Sequence, residues 1–457
     1  MAPYKNLPRG TSVRAKKVVK QIFRPLERFL QMEAASGLVL LTVTAVALLW
    51  ANSSLKDSYF ALWEHKLGFS FGTWSFESDV RFWINDGLMT LFFFIVGLEL
   101  RREFAQGDLS EFKRATLPLM AAMGGMLAPA LIYFFFNRGL PSVHGWGIPM
   151  GTDTAFALGI LAILGRRVPA AARILLLGLA VIDDVGGILV IAFFYSSGIQ
   201  YSGLVLAFLA FILVLFMQNI GIRSRMSYLV PGVMMWIGIY YAGIHPTLTG
   251  VVLGFLTPAR PGYSPEKILE LTKPYRQELV SLSEENNPST EAMMSLFLSL
   301  RDIYREGLSF VDQLIQKLHG TVAYIIMPLF ALANAGVTLG GTDLSGEAQN
   351  VFLGVALGLV LGKPLGIFLA CFLAIQLGLS KMPSGMGYRG IFQVGMVGGI
   401  GFTMALFIAQ LAFPSGDTLE VIKQGVLSAS LVAAVVSLMM GYLWAPKTQA
   451  ETSDENI

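Results

Sequence analysis

Apolar runs of bilayer-spanning length recur from one end of the chain to the other, and this feature limits the possible folds more than any other. A helix that crosses a bilayer needs about 20 mostly apolar residues. Only 14% of the 457 residues are charged, whereas soluble proteins carry about 25%, so the chain has too few charges to cover a soluble fold of this size. The sequence therefore predicts an all-α polytopic membrane protein. We count about twelve transmembrane spans, near 34–51, 83–100, 115–136, 149–165, 172–195, 203–219, 227–243, 245–257, 321–337, 350–377, 390–412 and 425–444.

Basic side chains give the orientation of these spans. They gather in alternate connections, whereas the intervening connections at 196–202 and 338–349 contain no Lys or Arg. Because loops rich in Lys and Arg stay on the cytoplasmic side, both termini are predicted to be cytoplasmic. The basic residues of these connections include Arg101, Arg102, Lys113, Arg114, Arg166, Arg167, Arg173, Arg223, Arg225, Lys381, Arg389 and Lys447.

Two long segments lie outside the spans, a basic N-terminus and a polar insertion. The basic N-terminus lacks the apolar core and cleavage site of a secretory signal, and it is either an amphipathic helix on an anionic membrane surface or a disordered tail. A polar cytoplasmic insertion has acidic residues around a Ser/Asn/Pro-rich centre and nothing that resembles a catalytic site. The predicted regions are the N-terminus at 1–33, spans one to eight at 34–257, the insertion at 258–318, spans nine to twelve at 319–445 and the tail at 446–457.

The stretch LGFSFGTWSFES at 67–78 alternates apolar and polar residues around a Gly-Thr turn. This pattern predicts a small extracytoplasmic β-hairpin. A single hairpin is marginally stable in water, so pairing with the hairpin of a second copy would support it.

An internal repeat is visible at low similarity. GTDTAFALGILAIL at 151–164 and GIGFTMALFIAQL at 399–411 each place glycine and threonine before a helical apolar run. Each stands second in a triplet of spans, at 115–195 and at 350–444, and the two triplets have opposite orientations. Opposed triplets with matching broken helices are typical of inverted-repeat transporters, whose binding site lies near the middle of the membrane.

Charges inside the predicted spans are costly, at about 2.5–3.5 kcal/mol each on translocon scales. Asp183 and Asp184 are adjacent in GLAVIDDVGGIL and point about 100° apart on a helix, so one of them is expected to face an aqueous cavity and the other a neighbouring helix. Gly186 and Gly187 permit close helix approach there. Acids outnumber bases among the six charged candidates, as suits a cation path. These are Asp86, Glu99, Asp153, Asp183, Asp184 and Lys363.

Lys363 is the only base predicted deep within a span, and Pro364 after it predicts a kink. We expect Lys363 to neutralise an aspartate or the carbonyl end of a broken helix. Asp153 would offset the positive ends of half-helices, and Thr152 offers a hydroxyl oxygen to a hard cation such as sodium. A plain helix N-cap is the alternative for Thr152 and Asp153.

The remaining polar candidates lie toward the ends of spans. Asp86 and Glu99 are about 20 Å apart along one helix and would mark opposite mouths of a pathway. His245, before Pro246, is more in keeping with a structural role than with a ligand. The four histidines have no zinc-ligand spacing, and the single cysteine, Cys371, excludes a disulfide within the chain.

Two buried carboxylates that open alternately to each side would let protons and a small cation compete for the same oxygens, which is an exchange mechanism. The alternatives are a proton- or sodium-coupled symporter of an organic solute, a channel, and an intramembrane aspartyl protease. A channel does not need opposed broken triplets, and an aspartyl protease needs its two aspartates on facing helices.

Several motifs occur in order over most of 80–260 and 318–445. They are INDGLMTLFFFIVGLELRRE (84–103), GTDTAFALG (151–159), VIDDVGGI (181–188), AGIHPTLTGVVLGF (242–255), MPLFALANAGV (327–337), LGKPLGI (361–367) and GGIGFTMALFIAQLAF (398–413). Together they resemble the motifs of the NhaA family of bacterial sodium/proton antiporters.

This resemblance implies twelve spans in which the fourth and eleventh unwind and cross, in a bacterial inner membrane. It implies that Asp184 is the central sodium ligand and that Asp183 pairs with Lys363. Sodium or lithium and protons would be the cargo, with no cofactor and no nucleic-acid partner, and the hairpin would join a homodimer. Glu103 would take part in the pH response and His245 would lie on the pathway. Where relatives carry an acid followed by histidine, this chain has Ile315 and Gln316, which puts the family's pH-sensing cluster in doubt.

Overall fold

The computed structural model describes residues 33–72, 74–107, 111–196, 198, 200–222, 226–284, 289–338 and 345–444. The predicted amphipathic N-terminus and the tail at 446–457 lie outside these residues. The helices are α1 (Glu33–Ala51), α2 (Lys56–Glu64), α3 (Val80–Gln106), α4 (Phe112–Asn137), α5 (Thr154–Leu164), α6 (Ala170–Phe194), α7 (Tyr201–Asn219), α8 (Leu229–Tyr241), α9 (Leu248–Leu256), α10 (Pro265–Glu284), α11 (Thr290–Glu306), α12 (Phe310–Asn334), α13 (Glu347–Gln376), α14 (Tyr388–Gly398), α15 (Phe402–Ala412) and α16 (Asp417–Leu443). Short 3₁₀ helices, Pro141–Met150 and Gly165–Arg167, lie on either side of α5.

The all-α polytopic membrane fold is confirmed. In the described part of the chain, seven helices are long and apolar enough to cross a membrane, namely α3, α4, α6, α7, α12, α13 and α16. Three further pairs pass the same test together but are bent, and two of these are the broken spans expected from the sequence. The 3₁₀ helix Pro141–Met150 bends by 42° into α5, and α14 bends by 47° into α15.

Two span boundaries differ from the sequence prediction. The predicted span at 245–257 contains only the nine-residue α9, which is about 14 Å long and too short to cross a bilayer by itself. The predicted ninth span was expected to begin at 319–321, but its helix begins at Phe310, where the Ser309 hydroxyl accepts a hydrogen bond from the Asp312 N–H. This N-cap lies within the polar insertion, where hydropathy alone gives no signal.

Prolines explain two irregular turns within the long helices. Pro328 follows a π-helical turn at Val322–Ile326, and Pro364 follows one at Gly358–Gly362. A proline has no N–H and its ring collides with the carbonyl four residues earlier, so a wider turn accommodates it. The kink expected at Pro364 takes this form.

The predicted hairpin is present as β1 (Lys66–Phe71) and β2 (Trp74–Asp79), which pair antiparallel with Phe71 opposite Trp74. Gly72 in the turn has φ of 62°, a conformation that glycine adopts without strain and that two-residue hairpin turns require.

The two triplets of spans share one order of elements, a long helix, a broken pair and a long helix. The first members, α4 and α13, pack through glycine on both sides. A Cβ at Gly124 would lie 2.6 Å from the Cβ of Ala370, and a Cβ at Gly366 would lie 2.6 Å from that of Ala128. This reciprocal contact fits the inverted repeat. Residues 402–409 of α15 are all buried, so this half-helix is enclosed by protein rather than exposed to lipid.

Candidate ion-binding site

The two broken spans cross where each of them loses helical structure. Residues 151–153 link the 3₁₀ helix to α5, and residues 399–401 link α14 to α15. The Asp153 N–H donates a hydrogen bond to the Ile400 carbonyl over 2.8 Å, and the Thr152 Oγ1 lies 3.3 Å from the Gly398 carbonyl oxygen. The unwound backbone of one repeat is therefore satisfied in part by the other, and the predicted crossing of the fourth and eleventh spans is confirmed.

Asp183 points from α6 into this crossing and is only 2% exposed. Its Oδ2 accepts a hydrogen bond from the Thr152 hydroxyl at 2.5 Å and one from the Lys363 ammonium at 2.8 Å. Its Oδ1 is buried and has no hydrogen-bond partner among the described residues. One carboxylate oxygen is thus shared by two donors, while the other is left available.

Lys363 joins α13 to both the aspartate and the broken helix. Its side chain is fully buried, and its ammonium also donates to the carbonyl oxygen of Met150, the last residue of the 3₁₀ helix. The sequence left two partners open for Lys363, an aspartate or a helix carbonyl end, and the structure places it against both.

Asp153 lies at the starts of two helices at once. Its Oδ1 accepts from the Phe156 N–H in the first turn of α5 at 2.9 Å. Its Oδ2 accepts from the N–H and the hydroxyl of Thr403 in the first turn of α15, at 3.2 and 2.6 Å. The carboxylate therefore caps both half-helices, which combines the N-cap and the charge-compensating interpretations of this residue.

Asp184 lies next to Asp183 on α6 but has different surroundings. Its side chain is 7% exposed, and it has no hydrogen-bond partner among the described residues. The charges that act on it come first from Asp183, then from Glu99, Lys363 and Asp153. The divergence expected from helix geometry is therefore present, with Asp183 held by donors and Asp184 left to interact through charge.

The expected glycine contacts beside this pair are only half realised. A Cβ at Gly186 would lie 2.9 Å from the Cε of Met126 on α4, whereas a Cβ at Gly187 would meet only the Ile408 side chain, at 3.9 Å. Because the atoms met at Gly186 belong to the flexible end of a methionine side chain, neither contact requires two backbones to approach closely there.

The other predicted residues lie away from the crossing. Asp86 is in the π-helical turn of α3, where its carbonyl accepts from the Trp236 indole at 3.2 Å, and Glu99 is half-buried further along the same helix. Glu103 follows one turn later. The imidazole Nε2 of His245 is 3.0 Å from the Tyr195 carbonyl oxygen. The charge of Glu99 acts on Asp184.

Comparison with known proteins gives one consistent result. A family model described as Na⁺/H⁺ antiporter 1 matches residues 27–440. The Na⁺/H⁺ antiporter NhaA 2 of Sorangium cellulosum (strain So ce56) is 50% identical over 96% of this chain and 94% of its own length. The chain belongs to the NhaA family.

Other NhaA proteins are similar to this chain over most of its length. The Na⁺/H⁺ antiporter NhaA of Janthinobacterium sp. (strain Marseille) is 46% identical over 97% of this chain and 98% of its own length. The NhaA 2 of Myxococcus xanthus (strain DK1622) is 48% identical over 93% and 90%. The similarity seen in the motifs from Asp86 to Phe413 therefore extends over nearly the whole length of these proteins. The protein is a member of a family of transporters.

Three features of this NhaA chain were missed or misjudged from its sequence. Thr403, which binds Asp153, was not singled out, although glycine and threonine open both broken helices and could have indicated it. Lys423, in the second turn of α16, is also buried and forms an ion pair of 3.1 Å with Glu420. The predicted last span began at 425, which left Lys423 outside.

The departure from the family motif at Ile315 and Gln316 has a structural counterpart. Ile315 is buried beside Leu98, Val311 and Leu314, whereas Gln316 is exposed. A hydrophobic contact between α12 and α3 therefore occupies the position where the family resemblance implies an acidic side chain in relatives.

Proposed function

We propose that this chain is an electrogenic antiporter that exports sodium or lithium in exchange for protons, in support of pH and sodium homeostasis. The observation that carries the proposal is the Asp183 carboxylate, which is bound by Thr152 and Lys363 at the crossing of two broken helices, beside an Asp184 that has no described hydrogen bond. The family membership supports the same activity.

A cation and protons would compete for this site. In the proposed mechanism, Asp184 is the central cation ligand, and the Asp183 oxygens and the Thr152 hydroxyl complete the contacts on one side. A cation that binds the Asp183 Oδ2 must displace the Lys363 ammonium from it. Because both carboxyl groups and the ammonium can take up or release protons, more than one proton is able to enter for each monovalent cation that leaves.

Fixed charges would keep the empty site stable between these states. Asp153 offsets the positive ends of α5 and α15, and Lys363 offsets the negative carbonyl end at Met150. Both groups are bonded to backbone atoms at the ends of the broken helices, beside the unwound segments, so a rearrangement of the crossing would move them together with the site.

The pathway and its regulation are assigned to residues of α3 and to one histidine. Glu99 lies nearer the cytoplasmic end of α3 and interacts through charge with Asp184, which supports a role in cation entry from the cytoplasm. Asp86 would mark the extracytoplasmic mouth. Glu103 and His245 are proposed to affect the pH response or the pathway.

The proposed setting is a bacterial inner membrane with both termini in the cytoplasm, without a cofactor. We further propose a homodimer joined through the hairpin, where Leu67 and Phe69 are 50% and 70% exposed. Exposed apolar side chains on a two-stranded edge favour pairing with another strand. A Phe69→Lys variant should lower the dimer fraction in mass photometry, and an unchanged fraction would contradict the hairpin contact.

Proton movement in everted membrane vesicles tests the exchange reaction. Addition of sodium or lithium should release protons from vesicles that contain the native chain, without any organic solute. Asp184→Asn should abolish this release, whereas Asp417→Asn, at an exposed position, should leave it intact. Sodium-driven exchange that survives Asp184→Asn would show that the ion site is assigned wrongly. A membrane-potential dye in the same vesicles tests whether charge is moved.

A further inference from the structure

The polar insertion folds into a pair of helices with a single shared seam. Helices α10 and α11 pack through Leu282 and Leu296, which are 8% and 1% exposed. The other seam positions follow at helical spacing and are half-buried. They are Ile268, Leu271, Tyr275 and Leu279 on α10 and Met293, Leu300 and Ile303 on α11.

Helix α11 also has a second apolar face. Met294, Phe297, Leu298 and Tyr304 are 59%, 51%, 41% and 59% exposed. At about 100° per residue, these four side chains fall on one side of the helix. Leu296, which is in the seam, points to the opposite side. Contiguous exposed apolar side chains of this kind mark an interaction surface, which we call the outer face of α11.

The helix pair that carries the outer face has an excess of acidic side chains. Eight acidic and five basic side chains lie between residues 265 and 306. Glu291 and Asp302 are both exposed and lie along one edge of the outer face, where Asp302 also forms an ion pair of 2.9 Å with Arg301. The anionic inner surface of a bilayer would repel a helix pair of this charge, so lipid is a poor occupant for the outer face.

The N-terminal sequence of this chain has the complementary chemistry. Residues 1–32 contain eight basic side chains and one acidic one. Within them, the apolar residues Ile22, Phe23, Leu26, Phe29 and Leu30 recur every three or four positions beside Lys20, Arg24 and Arg28. An apolar row next to a basic row matches an apolar face next to an acidic flank.

The place where this segment joins the described structure brings it to the correct end of the molecule. The Asn52 amide, just after α1, donates to the carbonyl of Val337, just after α12, over 2.8 Å. Helix α1 has 19 residues and therefore extends about 28 Å from that contact. The same distance along α12 from its own end reaches its first turns, which follow α11 directly. The segment before Glu33 thus enters the molecule at the level where α11 joins α12.

We propose that residues 16–30 of this chain dock on the outer face of α11, with their apolar side chains against Met294, Phe297 and Leu298 and their basic side chains toward the acidic flank. The insertion would then be an intramolecular receptor for the N-terminus.

Thiol labelling of the full chain in nanodiscs tests this docking. Phe297→Cys reports the outer face, and Gln277→Cys on the exposed side of α10 is the matched control; the native Cys371 is buried and reacts slowly. Reversal of Lys16, Lys17, Lys20 and Arg24 to Glu should speed maleimide labelling at Phe297→Cys by about tenfold and leave Gln277→Cys unchanged. Equal labelling rates with and without the reversal would overturn the proposal.

Lipid composition and cross-linking separate the other occupants. Protection that appears only in nanodiscs with anionic lipid, and that survives the charge reversal, would assign the outer face to the bilayer instead. Oxidation of a Leu26→Cys/Met294→Cys variant should give an intramolecular disulfide that migrates as a monomer. A disulfide-linked dimer as the main product would assign the face to a second copy and overturn the intramolecular docking.

Discussion

The ammonium of Lys363 and the carboxylate of Asp183 form an ion pair of 2.8 Å in which both side chains are almost completely buried. Removal of one partner from a buried pair leaves an uncompensated charge and costs about 3–5 kcal/mol. Lys363→Ala should therefore lower the thermal stability of the purified protein strongly, as measured by tryptophan fluorescence during heating. Lys381→Ala, at an exposed position, is the control and should have little effect.

The double variant Lys363→Ala/Asp183→Asn distinguishes charge from packing. Because it removes both charges, it should regain part of the stability that Lys363→Ala loses, although exchange activity should stay absent. If the double variant were no more stable than Lys363→Ala, the loss would come from the cavity and the missing Met150 contact rather than from the unpaired carboxylate.

The second prediction concerns the carboxylate that caps two half-helices. Thr403→Val removes the hydroxyl that donates to Asp153 at 2.6 Å while it keeps the shape of the side chain and the backbone N–H. The expected loss is about 1–2 kcal/mol, since a hydrogen bond to a charged group is removed. Thermal unfolding measures it, with Thr42→Val as the matched control, because the Thr42 hydroxyl bonds only within α1 at an exposed site. Equal losses in the two variants would mean that the bridge between the repeats adds nothing.

The sequence was sufficient for most of the spans and for the acidic pair. Periodic apolar runs and alternate basic loops define a polytopic bundle, and adjacent aspartates in an apolar run are costly enough to indicate a site. The broken helices could be located because glycine and threonine recur at the starts of α5 and α15. These signals come from residues that are close together in the sequence, so they can be recognised without the structure.

Part of what could not be predicted depends on contacts between distant segments. The bonds from Thr403 to Asp153 and from Lys363 to the Met150 carbonyl join the two repeats, which are more than two hundred positions apart in sequence. Lys423 was overlooked because it and Glu420 are two charged residues three positions apart, and their low hydropathy placed both outside the predicted span. The helix start at Phe310 depends on an N-cap at Ser309 within a polar segment.

The close crossing of α4 and α13 gives a third prediction. At Gly124, an added Cβ would lie 2.6 Å from the Cβ of Ala370 and would also meet the Gly366 backbone, and backbone cannot move aside as a flexible side chain does. Gly124→Ala should therefore destabilise the protein by about 1–3 kcal/mol. Gly320→Ala is the matched control, since this glycine is within α12 and has nothing within 4 Å; it should stabilise by about 0.5–1 kcal/mol. Opposite signs in thermal unfolding are the expected result, and a tolerated Gly124→Ala would disprove the tight crossing.

The fourth prediction tests the position where this chain departs from the family motif. Ile315 is buried against Leu98 and Val311, so Ile315→Glu would bury a carboxylate without a partner and should destabilise the protein by more than about 2 kcal/mol. Gln316→Glu, one residue further and exposed, should be neutral in stability. Sodium-dependent proton exchange, measured against pH in everted vesicles, should be unchanged in Gln316→Glu if the hydrophobic contact of α12 with α3 has replaced an acidic sensor. A clear shift of that profile in Gln316→Glu, without loss of stability, would show that an acid at this site still acts on the transport cycle.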